Sequence, residues 1–134
     1  MIHKACPVVL HPDGAPLRHL QVRHPETGLH LITATAQTEG GNPVQTVAQD
    51  LFAKTGLETT AALPLGQSED IVTAERWSFV LCRIKPPVRA EWVHISTNDI
   101  ENRIHCSWFD IDTPDPELPG PYARALEWMR LNAL

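Results

Sequence analysis

Asp50 and Lys54 stand four residues apart within the segment Gly40–Leu57, GGNPVQTVAQDLFAKTGL. On a helix that spacing sets a carboxylate and an ammonium one turn apart, in the acid-before-base order that favours an ion pair. A Gly-rich turn opens the segment and gives it the shape of a phosphate-handling motif with few acids. Arg18, Arg23, His24 and His30 add groups suited to anions. An Arg clamps a phosphate with two parallel donors, although the same side chains also serve as the outer face of a half-solvated sheet. Trp77, Trp92, Trp108 and Trp128 offer rings to stack on a base or bulk for a core; Trp108, next to an acidic loop, is the candidate for stacking. His105, Cys106 and Ser107 do not make a hydrolase triad, because contiguous strand residues alternate faces and no G-x-S-x-G elbow exists. No G-x-x-x-x-G-K-[ST] loop is present, which argues against an ordinary ATPase.

The elements that must position these groups are legible in part. Asn42 is a good N-cap, Pro43 suits the first helical position, and Gly56 supplies a left-handed stop. Between them Val44, Val47, Ala48, Leu51 and Phe52 form one apolar stripe. Strands are expected over residues 4–11, 17–24, 29–36, 74–84, 90–96 and 105–112, with a short strand and a polar loop in 58–71. Pro7 suggests an edge position, or a strand that starts after it. Leu20 and Val22 point inward from the second strand. A C-terminal helix is expected over residues 121–132, with Tyr122, Ala125, Leu126 and Met129 on one face. The order of three strands, helix, four or so strands, helix suits an α+β sandwich with a mixed sheet and two main helices.

The length of 134 residues argues for a single domain spanning 1–134. A net charge of −5 without a Lys/Arg cluster disfavours a nucleic-acid polymer as partner. No apolar run approaches the roughly 18 residues that cross a bilayer, and the first residues lack a signal-peptide core and break at Pro12. A cytoplasmic protein with no membrane partner is expected. Three Cys without C-x-x-C spacing read as reduced thiols in or near the core.

With the element order set beside the Gly-turn-helix, the chain resembles the Nudix (MutT-like) hydrolase family, whose box is G-x5-E-x7-R-E-U-x-E-E-x-G-U with U a bulky apolar residue. Anchored on Thr55-Gly56-Leu57, the box falls over residues 35–57. Gly56, Leu57 and the apolar Leu51 match, and Gly40 matches a glycine often found before the first acid. HLQVRHPETG and Trp108-Phe109-Asp110-Ile111-Asp112 are similar to the family's V-L-L-V-R strand and late W-x-x-x-D/E strand. The resemblance implies a Nudix-like α/β/α sandwich. It also shows a degenerate box: Thr35 replaces the leading Gly, Gly41 the first Glu, Gln49-Asp50 the Arg-Glu pair, and Ala53-Lys54 the Glu-Glu pair.

Family members cleave a phosphoanhydride with a metal-activated water, and a hard cation needs several oxygen ligands. Lys54 opposes that: two unit charges at ~4 Å repel by about 4 kcal/mol at an effective dielectric near 20, and a divalent ion doubles it. Asp50–Lys54 is then either a solvated surface pair or a pair whose ammonium fills the metal position and holds a phosphate. The resemblance implies Arg18, Arg23, His30, Lys54 and Trp108 as ligand-binding residues. A rebuilt metal site would use Asp50 with Glu39 and Asp99, with Asp50 and Glu101 as catalytic carboxylates and Mg²⁺ or Mn²⁺ as cofactor. Three functions follow. The leading one is binding of a nucleotide-like or other phosphorylated small molecule with little or no hydrolysis. The others are an active metal-dependent pyrophosphohydrolase of a nucleoside diphosphate linked to another moiety, and a homodimeric interaction module.

Overall fold

The computed structural model describes residues 1–14, 16–35, 42–95 and 103–132. Eight strands and two helices appear among them: β1 (Ile2–Val8), β2 (Arg18–His24), β3 (Gly28–His30), β4 (Ala34–Thr35), α1 (Pro43–Thr55), β5 (Thr59–Ser68), β6 (Glu75–Ile84), β7 (Glu91–Ile95), β8 (Arg103–Asp110) and α2 (Gly120–Asn132). They form two four-stranded sheets. The first, β4-β1-β6-β5, is mixed, with β1 parallel to β6; the second, β3-β2-β8-β7, is antiparallel.

Alternation along β1 and β6 divides the core into two layers. Cys6, Val8, Trp77 and Phe79 pack against Ala125, Leu126 and Met129 of α2. Ala5, Val9, Val80 and Cys82 face the other way, onto Val47 and Leu51 of α1 and onto Leu20, Val22 and Cys106 of the second sheet. The mixed sheet therefore lies between α2 on one face and α1 on the other, and the antiparallel sheet feeds both layers, Leu29 and Phe109 on the α2 side and Leu20, Val22 and Cys106 on the α1 side. This is the expected α/β/α sandwich.

Local chemistry sets α1. The Asn42 side chain accepts from the Val44 N–H at 3.1 Å, Pro43 opens the helix, and Gly56 closes it at φ 77° with its N–H on the Phe52 carbonyl. The buried seam is Val47, Leu51 and Thr55; Phe52, counted in the apolar stripe, is 53% exposed instead. Thr55 can join the seam because its hydroxyl is satisfied, donating to the Leu51 carbonyl at 2.6 Å and accepting from the Leu57 N–H at 3.2 Å.

Three strand expectations need correction. The run 29–36 breaks into β3 and β4, because Leu31–Thr33 carries the chain from the antiparallel sheet to the mixed one, burying Leu31 and Ile32 on the way. The segment 58–71 holds a ten-residue strand, β5, bulged near Pro64 and Gly66, rather than a short one. Pro7 lies inside β1, an interior strand; it is tolerated because β4 reaches only Lys4 and Ala5, so β1 is an edge on that side at Pro7.

His19 corrects the face assignment of β2. It is buried along with Leu20 and Val22. Its Nε2 accepts from the Val9 N–H at 3.2 Å, and its Nδ1–H donates to the Leu20 carbonyl at 2.7 Å. The neutral ring closes the corner where β1 leaves one sheet and β2 enters the other. No helix among the described residues is long and apolar enough to cross a membrane.

Candidate functional site

Lys54 stands on the last turn of α1 and reaches two partners. Its ammonium lies 2.9 Å from Asp50 Oδ2 and 3.2 Å from the Thr33 carbonyl oxygen. The first contact is the i, i+4 pair that the sequence spacing implies. The second ties the helix to the crossover between β3 and β4.

Beside Lys54 is a cleft of about 270 Å³, lined by Thr27, Leu29, His30, Thr33, Lys54, Pro119 and Tyr122. The three elements that meet there are β3, the C-terminal part of α1 and the start of α2. The His30 Nδ1–H donates to the Leu31 carbonyl at 2.9 Å, which leaves Nε2 as the lone-pair nitrogen of the neutral ring. Burial holds the His30 pKa below its ordinary value; the Leu31 carbonyl opposes this, and the Lys54 ammonium adds to it. The His30 and Tyr122 rings lie 6.0 Å apart. Burial pushes the Tyr122 phenol up, against a hydrogen bond with the Thr33 hydroxyl that pulls it down. At neutral pH the cleft therefore presents one ammonium, a neutral imidazole, a neutral phenol and two Thr side chains.

The other sequence candidates do not line this cleft. Arg18, at the start of β2, is 3.6 Å from Asp13 Oδ2, and its Nε is buried without a partner among the described residues. Arg23 projects to solvent and pairs with Glu117 at 3.1 Å. His24 Nδ1 accepts from the Glu26 and Thr27 N–H groups, bracing the turn beside the cleft. Trp108 donates its indole N–H to the Arg89 carbonyl at 2.9 Å and packs edge-on to His11, 5.0 Å between centroids. It is held by the core edge that also carries Trp92. Glu39, Asp99 and Glu101 lie outside the described residues. Tyr122 and Thr33 carry no site signal in the sequence: Tyr122 belongs to the apolar face of a helix, and only the fold brings that face to Lys54.

The described face of α1 does not suit a divalent cation. Asp50, the carboxylate that α1 carries, is engaged by the Lys54 ammonium, which adds positive charge beside it, whereas a hard cation takes several oxygen ligands. Among the described residues no group of three His, Cys, Asp or Glu side chains could hold a metal. A larger hollow of about 430 Å³, bounded by Leu10, Pro12, Thr60, Leu81, Cys82, Arg83 and Ile84, is mostly aliphatic and gathers no comparable set of polar groups.

No protein-family model and no curated protein sequence matches the chain. Solved structures do. It is similar to an ADP-ribose pyrophosphatase from Streptococcus suis, with TM-score 0.66 at 14% identity over 96% of this chain and 92% of that one. A MutT Nudix hydrolase from Burkholderia pseudomallei gives TM-score 0.62 at 16% identity, covering 94% of this chain and 95% of that one. A protein assigned to the Nudix hydrolases from Chromobacterium violaceum gives 0.65 at 21% identity, covering 98% and 79%. The chain has the Nudix fold.

Proposed function

We propose that this protein binds a phosphorylated small molecule in the cleft between α1 and α2, with little or no metal-dependent hydrolysis. The observation that carries this reading is the Lys54 ammonium at the cleft wall, paired to Asp50 on the helix face that would otherwise hold a metal. A carboxylate nest for Mg²⁺ and a cation for phosphate are mutually exclusive uses of that position. His30, Tyr122 and the two Thr side chains add hydrogen-bonding capacity around it. The ADP-ribose pyrophosphatase among the similar structures supports a ligand with a phosphate-bearing tail. A nucleoside diphosphate joined to a second group is the class to try first.

The test is a melting-temperature panel of ADP-ribose, dinucleoside polyphosphates, NADH, nucleotide sugars and dNTPs, each with EDTA or Mg²⁺. A ligand that binds only the native state raises the midpoint. The expected result is stabilisation by at least one compound with no product formed. Stabilisation by none would overturn the reading.

A further inference from the structure

The Asp50 carboxylate is a charged acceptor already bound to Lys54, the ammonium that a phosphate entering the cleft would meet. The contact is 2.9 Å, and the ammonium's other partner is the uncharged Thr33 carbonyl at 3.2 Å. An ammonium has three donors. One is committed to Thr33, a neutral acceptor, and one to Asp50. Asp50 is 22% and Lys54 36% exposed by side chain, so the pair is partly shielded and its strength is not wholly lost to water. Among the described residues lining the cleft, Lys54 is the one carrying a full positive charge.

We infer that the site takes a phosphate group directly, without a metal ion, and that Asp50 is a tethered competitor for it. The inference rests on the proposed ligand class and adds the manner of its binding. Phosphate entering the cleft shares or displaces the Asp50 contact on Lys54, while Thr33 keeps the ammonium in place. The hydroxyls of Tyr122, Thr33 and Thr27, all lining the cleft, are the donors available to the phosphate's other oxygens. No bond is made or broken; one acceptor replaces another. Because the anion is repelled by Asp50 and attracted by Lys54, wild-type affinity is held down by the protein's own carboxylate.

Calorimetric titration of inorganic pyrophosphate into wild type, Asp50→Asn and Lys54→Met, in EDTA and in Mg²⁺, tests this. Circular dichroism and the melting temperature confirm that each variant is folded. The expected result is metal-free binding by wild type, tightened roughly tenfold in Asp50→Asn and weakened roughly tenfold or more in Lys54→Met, the scale of one charge-assisted contact. Unchanged or weaker binding by folded Asp50→Asn would overturn the competitor role. Binding that needs Mg²⁺ would overturn the metal-free mode while leaving the phosphorylated-ligand reading standing. No pyrophosphate binding by any of the three proteins, with a nucleotide from the melting panel still stabilising wild type, would overturn this inference alone. Failure of both experiments would remove the proposed function as well.

Discussion

Lys54 joins Asp50 on its own helix to Thr33 on the crossover between the two sheets, at 2.9 Å and 3.2 Å. Its charge therefore stays at the cleft wall instead of sweeping through solvent. If that charge is what opposes a divalent ion, Lys54→Glu reverses the sign at one point and sets two carboxylates one helical turn apart. Mn²⁺ affinity measured by calorimetry is expected to rise at least tenfold, since removing the repulsion alone is worth several kcal/mol before screening. Equal affinity in the two proteins would contradict the blocking role.

His19 gives the fold a pH dependence. Burial lowers its pKa from 6.5 to about 4, partly offset by the Leu20 carbonyl. Above pH 6.5 the ring is neutral in both folded and unfolded chains. As pH falls from 6.5 toward 4 the unfolded chain takes up a proton that the folded chain refuses, so stability is lost across that window. The size is roughly 3 kcal/mol, at about 1.4 kcal/mol per pKa unit. Urea titrations at pH 7.5, 5.5 and 4.5 read it out. His19→Phe should cost about 1–3 kcal/mol at pH 7.5, because the Val9 N–H loses its acceptor, and it should flatten the slope between 6.5 and 4. A slope unchanged in the variant would assign the dependence to other groups.

The caps of α1 are separable from its cleft face. Asn42→Ala removes the acceptor for the Val44 N–H and should cost about 1 kcal/mol. Gly56→Ala places a Cβ at φ 77° and 3.2 Å from His94 Nδ1, and should cost about 1–2 kcal/mol. Chemical denaturation of both variants checks these values; a neutral Gly56→Ala would mean that the turn relaxes.

Cys6, Cys82 and Cys106 are free and buried. Burial raises all three thiols, Cys82 to about 11 and Cys106 to about 12. The thiolate is the reactive form, so a disulfide reagent at pH 8 should label the native protein only as fast as it unfolds, and all three sites at once in denaturant. Rapid labelling of Cys6 or Cys106 in the native protein would contradict this; Cys82, which borders the hollow of about 430 Å³, is the thiol expected to react first if native-state opening occurs.

The parts of the fold visible in the sequence are those governed by neighbours along the chain. Asn42, Pro43 and Gly56 bound α1 through contacts within four residues, and the bounds stand. The break between β3 and β4 was hidden, because LHLITATA carries no turn residue; Leu31 and Ile32 leave the strand for a tertiary reason, to bridge two sheets. His19 was hidden likewise, since a His on an alternating strand reads as solvent-facing until the Val9 N–H needs an acceptor. For the candidate site, the Asp50–Lys54 pair followed from helical spacing. Its meeting with His30, Thr33 and Tyr122 depends on β3, the crossover and α2 converging, which no local pattern encodes.

The most direct test of the central claim is turnover. The protein, at high concentration, is incubated with ADP-ribose, NADH, dinucleoside polyphosphates, nucleotide sugars and dNTPs, each with Mg²⁺, Mn²⁺ or EDTA, and product is quantified. The expected result is no product beyond enzyme stoichiometry in any tube, alongside binding of at least one compound. Metal-dependent product exceeding stoichiometry, lost in Asp50→Ala, would contradict the claim and assign Asp50 to a working metal site, with Glu39, Asp99 and Glu101 the next carboxylates to replace.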